Sequence, residues 1–135
     1  MNGPVYLRLG REKVPTITVD ETPFVVGKAE TFYDGSDVCI VANGLMVYEA
    51  LVAAKQLGKE GVSARVINLH TVKPIDRKAL VAAAKETGAV VVAEEHQIAG
   101  GTGSAVAEVL DQCAGITAHP GPLGDCRLNI KANVQ

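Results

Sequence analysis

Several things are scarce in this 135-residue chain, and each scarcity removes a class of function. No block of lysine or arginine stands out, and 13 basic against 15 acidic residues leave a net charge of -2. Nucleic acid and anionic membrane surfaces are therefore disfavoured as partners. No apolar run approaches the roughly 20 residues that a membrane-spanning helix needs. Met1 is followed by Asn2-Gly3-Pro4, which is not a secretory signal. Cysteine occurs three times, as Cys39, Cys113 and Cys126, with no CxxC spacing. That odd, scattered set argues against a disulfide framework and a zinc site, and it favours a reducing, cytoplasmic setting. Cys39 lies inside an apolar run and reads as a small core residue.

What remains suits a globular domain: 47% apolar and 21% charged residues, in a chain long enough to bury a core. The strongest pattern runs from Ser36 to Pro74. Val38, Cys39, Ile40, Val41 and Ala42 form a run suited to a strand buried on both faces. Asn43-Gly44 breaks it. Val47, Ala50, Leu51, Ala54 and Leu57 then recur on one face of a helix, and Gly58 and Gly61 offer places for it to end. Ala64, Val66, Ile67 and Leu69 give the next strand. A strand, helix, strand unit of this kind implies a right-handed parallel crossover.

The pattern repeats. Asp76 is expected to cap a helix from Arg77 to Thr87 with Leu80, Ala83 and Ala84 inward, and Gly88 to end it in the left-handed conformation. Ala89 to Ala93 reads as a third buried strand. The polar segment EEHQIAGGTGS leads into a helix with Val106, Val109 and Leu110 on its inner stripe. Upstream, a strand around Lys28 to Phe32 precedes Asp34-Gly35, a strong turn signal, and is expected to pair next to the core sheet. The fold class is α/β: an open three-layer α/β/α domain with a mostly parallel, mixed sheet.

Both ends depart from the repeat. In GPVYLRLG, Val5, Leu7 and Leu9 alternate with Tyr6, Arg8 and Gly10, as in a short strand, and a loop with Pro15 and Pro23 follows. Residues 1–23 thus read as the last strand of one domain and a linker, 24–113 as the α/β domain, and 114–135 as an irregular tail. In that tail only Ile116 to Ala118 suggests a strand, and much of the segment is expected to be irregular or mobile.

Open α/β sheets bind ligands beyond the carboxyl ends of their strands. Here those ends carry Asn43-Gly44, His70-Thr71, and Glu94-Glu95-His96 with Gly100-Gly101-Thr102-Gly103. The last segment can present backbone N–H groups to an anion. It lacks the GxGxxG pattern and the P-loop lysine, so a structural turn packed against a neighbour is favoured there, with Glu95, His96, Gly100, Gly101 and Gly103 as turn or interface residues. Glu94 and Glu95 can be read as acid/base groups, but adjacent residues of an extended chain point to opposite faces. A stand-alone phosphate- or nucleotide-binding module is the alternative of another class.

Taken together, GPVYLRLGRE, GSDVCIVANGLMVYEALVAAKQLGKEGVSARVINLHTVKPID and VVVAEEHQIAGGTGSAVAEVL resemble the C-terminal portion of transketolase, in the same order and over about Gly3 to Leu110. The likeness is greatest to transketolases split into two subunits. The same domain closes 1-deoxyxylulose-5-phosphate synthase and the β subunits of 2-oxo acid dehydrogenases. The resemblance implies transfer of a two-carbon ketol unit between sugar phosphates, as in the pentose phosphate pathway. It implies thiamine diphosphate and magnesium in the full enzyme, held by domains that a missing N-terminal subunit would supply. This chain alone is then expected to bind no cofactor, to carry no catalytic residue and to be inactive. Its implied role is packing and assembly of a homodimer. The resemblance also puts a substrate-phosphate contact on Arg11, in LRLGRE, where a guanidinium offers a bidentate grip. The tail AGITAHPGPLGDCRLNIKANVQ does not fit the family's usual ending.

Overall fold

The computed structural model describes residues 2–11, 13–96, 99–114 and 127–132, with 113–114 and 127–132 described by backbone alone. Its elements are β1 (Glu30–Tyr33), β2 (Val38–Ala42), α1 (Met46–Lys59), β3 (Ala64–Asn68), α2 (Arg77–Thr87), β4 (Ala89–Glu94), α3 (Thr102–Ala114) and β5 (Arg127–Ala132). They form one five-stranded sheet in the order β1-β3-β2-β4-β5. β2 pairs parallel with β3, Val38 opposite Ala64 and Ala42 opposite Asn68, and parallel with β4 on its other side. β1 alone runs antiparallel, against β3. The sheet is thus mostly parallel and mixed, as the pattern implies.

The sequence periodicities become two cores. On one face α1 buries Val47, Ala50 and Ala54 against Ile40, Ala42, Ala64 and Val66. On the other, α2 and α3 bury Leu80, Ala83, Ala84, Val106, Val109 and Leu110 against Cys39, Val41, Ile67, Val90 and Val92. Successive residues of β2 alternate between the two faces, which is why the whole strand is apolar. Asp76 caps α2 through its carboxylate, which accepts from the Ala79 N–H at 3.2 Å. Gly88 ends the helix at φ 68°.

One glycine is fixed by space rather than by backbone angle. A Cβ on Gly35 would stand 2.4 Å from the Ala64 carbonyl carbon, so the Asp34-Gly35 turn lies directly against the start of β3. Arg65 ties that corner together. Its guanidinium pairs with Glu86 of α2 and with Asp34, the latter at 2.9 Å. The hydrogen bond to Glu86 and the pairing with Asp34 raise its pKa above the already basic value of arginine.

The strand expected around Lys28 to Phe32 is β1, Glu30–Tyr33. It joins the sheet as expected, at the edge and against β3. Within this chain GPVYLRLG joins no ladder, because no described strand lies beside it to complete its backbone hydrogen bonds. One expectation needs correction. The tail is not irregular throughout: residues 127–132 form β5, which continues the parallel ladder from Ala89 opposite Arg127 to Glu94 opposite Ala132. The reason is that β4 is an apolar parallel strand with an open edge, and LNIKA supplies the partner. Ile116 to Ala118 lies outside the described residues.

Candidate functional site at the carboxyl ends of the strands

The chain leaves β2 for α1 on one face of the sheet and leaves β4 for α3 on the other. The gap between these adjacent strand ends is the topological switch point, the usual ligand crevice of an open α/β sheet. In this protein the crevice is filled by the chain's own side chains.

Glu94, the last residue of β4, is 5% exposed. Its Oε2 accepts from the Thr102 N–H at 2.6 Å and its Oε1 from the Gly103 N–H at 2.8 Å. These are first-turn amides of α3, where the helix dipole favours negative charge. The carboxylate therefore occupies the place that a bound phosphate would take at such a terminus. Across the gap, Asn43 at the end of β2 donates from Nδ2 to the Thr102 hydroxyl at 2.7 Å. Gly101 and Gly103 are buried in this turn, and Gly100 passes it at φ 80°. Glu95 and His96 are exposed, on the outer side. Alternation thus separates Glu94 from Glu95, and no acid/base pair forms from them.

His70 lies just past β3, in a setting of its own. The Phe24 ring lies over its imidazole at 4.4 Å between centroids, tilted by 30°. The Thr71 hydroxyl meets Nδ1 at 2.9 Å. Its Nε2 is buried and has no hydrogen-bond partner among the described residues.

The segment before β1 runs across these same strand ends. Arg8 donates from Nη2 to the Glu95 carbonyl at 3.3 Å, at the end of β4. Residues Val14 to Thr18 line a groove of about 340 Å³ with Gly44, Leu45 and Tyr48, at the end of β2. Phe24 then reaches His70, at the end of β3. Arg11 is exposed within this arm.

The amides at the α3 terminus are taken by Glu94. Among the described residues no group of three or more His, Cys, Asp or Glu side chains is placed to hold a metal ion. No described helix is long and apolar enough to cross a membrane.

The family model described as "Transketolase, C-terminal domain" matches residues 27–128. The chain belongs to the transketolase C-terminal domain family. It is 44% identical over 125 residues to the 6-deoxy-6-sulfo-D-fructose transketolase subunit SqwH of a Clostridium species, covering 93% of this chain and 39% of that one. It is also 44% identical to an apulose-4-phosphate transketolase subunit of Phocaeicola vulgatus, over 81% of this chain and 35% of its relative. The 1-deoxy-D-xylulose-5-phosphate synthase of Heliobacterium modesticaldum is 44% identical over 81% of this chain and 17% of its own. Among solved structures, one described as a split gene transketolase, inactive beta4 tetramer, superimposes with a TM-score of 0.83 at 45% identity, covering 99% of this chain and 42% of that one. This transketolase-type domain thus spans about two fifths or less of the relatives it matches.

In a domain of this family, the sequence points to the right end of the sheet but not to what fills it. Glu94 stands out there only as one of two adjacent carboxylates. The signal for its role is nonetheless present: a carboxylate ending a buried strand, followed by a glycine-rich turn into a helix. The Asn43–Thr102 and Phe24–His70 contacts link residues 59 and 46 positions apart, and no local pattern announces them.

Proposed function

We propose that this chain is the C-terminal, non-catalytic domain of a split transketolase-type enzyme, in which it packs against and helps assemble the parts that carry the chemistry. The observation that supports this most is the filled switch-point crevice. Glu94 and Asn43 close the place where an open α/β sheet would take a ligand, leaving the domain a scaffold. The comparisons add that relatives with 44% identity include named subunits of transketolases.

In the complete enzyme the reaction would be two-carbon ketol transfer between sugar phosphates. Thiamine diphosphate and magnesium would be held by the N-terminal subunit, in the cytoplasm, and homodimerisation would run through this domain. This chain alone would bind no cofactor and turn nothing over. Residues 1–23 would complete the neighbouring domain and lead into residues 24–113. The apolar Val5, Leu7 and Leu9 are 65%, 73% and 76% exposed, and a partner sheet would cover them. The turn at Glu95, His96, Gly100, Gly101 and Gly103 would be structural or at an interface.

Arg11 is the substrate contact in this reading. An exposed guanidinium on an arm entering the neighbouring domain can take a sugar phosphate bidentately. In enzyme reconstituted with its N-terminal subunit, Arg11→Ala is expected to raise KM for phosphorylated substrates about tenfold, the loss of charge-assisted hydrogen bonds. Folding would be unchanged. Michaelis constants at the parental value would remove Arg11 from the site.

A second reading rests on the 44% identity to a 1-deoxy-D-xylulose-5-phosphate synthase. There the domain would do the same packing work in a different ketol-forming enzyme, and the same alternative includes the 2-oxo acid dehydrogenases, whose β subunits end in this domain. Activity with candidate donors separates the transketolase reading from these alternatives: a synthase or a dehydrogenase would consume a 2-oxo acid and release carbon dioxide. A stand-alone phosphate- or nucleotide-binding module is disfavoured, since its anion site is already occupied by Glu94.

A further inference from the structure

Four contacts hold residues 24–29 onto the loop between β3 and α2. Phe24 lies on His70. Gly27, at φ 83°, passes so near Pro74 that a Cβ there would stand 3.1 Å from the proline Cγ. The Ala29 N–H donates to Asp76 Oδ2 at 3.2 Å, and Lys28 Nζ stands 3.9 Å from the same oxygen. The Lys28 N–H closes the turn internally on the Val25 carbonyl at 2.9 Å.

These contacts do not all favour the closed arrangement. Phe24 is still 68% exposed, so its burial gains little. Beneath it, His70 Nε2 is sealed from solvent without a partner among the described residues, a cost that opening the segment to water would remove. Thr71 satisfies only Nδ1. The imidazole is thus both the platform that Phe24 stacks on and the group that works against its staying there.

We propose that residues 24–29 form a two-state strap, closed over His70 in this structure, whose opening is driven by the unmet hydrogen-bonding need of His70 Nε2. The strap joins the arm bearing Arg8 and Arg11 to β1, so its state sets how firmly that arm is held across the strand ends. The proposal does not depend on any role of Arg11. It also differs from a plain packing contact in one respect. Replacing His70 by an apolar ring should tighten the strap, whereas loss of a merely structural residue should loosen it.

Hydrogen exchange on the 135-residue chain reads this directly, through the amides of Lys28 and Ala29. The Leu69 amide, which donates to the Ala42 carbonyl at 2.8 Å, serves as an internal check that the sheet is intact. His70→Phe keeps a ring under Phe24 and removes the unpartnered nitrogen. It is expected to slow exchange at Lys28 and Ala29 about tenfold. Phe24→Ala is expected to speed both several-fold while Leu69 stays protected. If His70→Phe leaves those two amides at the parental rate, or speeds them while Leu69 remains protected, the strap proposal is overturned. Should His70→Phe also expose Leu69, His70→Leu gives the same test with a smaller side chain, and unchanged rates there overturn it equally.

Discussion

Two stretches of this protein carry the same kind of residues and meet opposite fates. Val38 to Ala42 is an apolar run, and from Cys39 onward every residue is buried, because β3 and β4 flank it and helices cover both faces. Val5 to Leu9 is an alternating apolar run, and every member is exposed, because no described strand pairs with it. The difference teaches that β-propensity reports fitness for a pleated, half-buried surface, not a strand as such. It also separates the molecule into a body whose apolar side chains are buried and an arm whose apolar side chains are exposed.

The largest effect should come from placing a polar atom in the scaffold. Val41 is fully buried, and Val41→Ser would leave both a void and a hydroxyl away from water. A loss of about 3 kcal/mol or more is expected by denaturant titration. A loss below about 1 kcal/mol would mean that β2 is less tightly enclosed than it stands here.

Next comes the filled crevice. Glu94→Ala removes a carboxylate that satisfies two buried amides at a helix N-terminus, and should cost about 2 to 4 kcal/mol. Added phosphate should recover part of that loss in the variant and do nothing for the parent. A variant as stable as the parent would show that Glu94 does not hold α3.

A smaller contrast lies within one turn. Gly101 is buried and Glu95 exposed, so Gly101→Val should lower the melting temperature by several degrees while Glu95→Ala changes stability by less than about 0.5 kcal/mol. Equal melting temperatures would count against a structural role for the turn.

The smallest effect should be in the arm. Leu7 is 73% exposed, and Leu7→Ser should leave the stability of the isolated chain within about 0.5 kcal/mol. In pull-down with the N-terminal subunit the same variant should bind more weakly. A destabilised isolated chain would show that the arm belongs to the scaffold after all.

The scaffold was legible for local reasons. Apolar residues at helical and strand periods are a local signal, and the caps at Asp76 and Gly88 mark α2 at both ends, as the structure has them. What was not legible depends on distance. The alternation in GPVYLRLG is strand-like, but whether a strand forms depends on a neighbour that the sequence does not display. LNIKA does alternate apolar and polar residues, but the run is short and follows a Pro- and Gly-rich stretch, and its place as β5 is set by the open edge of β4. Gly35 reads as a turn residue. Its tight approach to Ala64, 29 positions away, belongs to the folded chain only. In the crevice, the sequence placed Glu94 and the glycine-rich turn near the strand ends. It could not show that the first fills the anion site of the second.

Glu94 and Asn43 fill the switch-point crevice of this domain from within. The most direct test is calorimetric titration of the 135-residue chain with thiamine diphosphate and magnesium. No saturable heat is expected up to millimolar cofactor. Saturable binding with a micromolar Kd would contradict it.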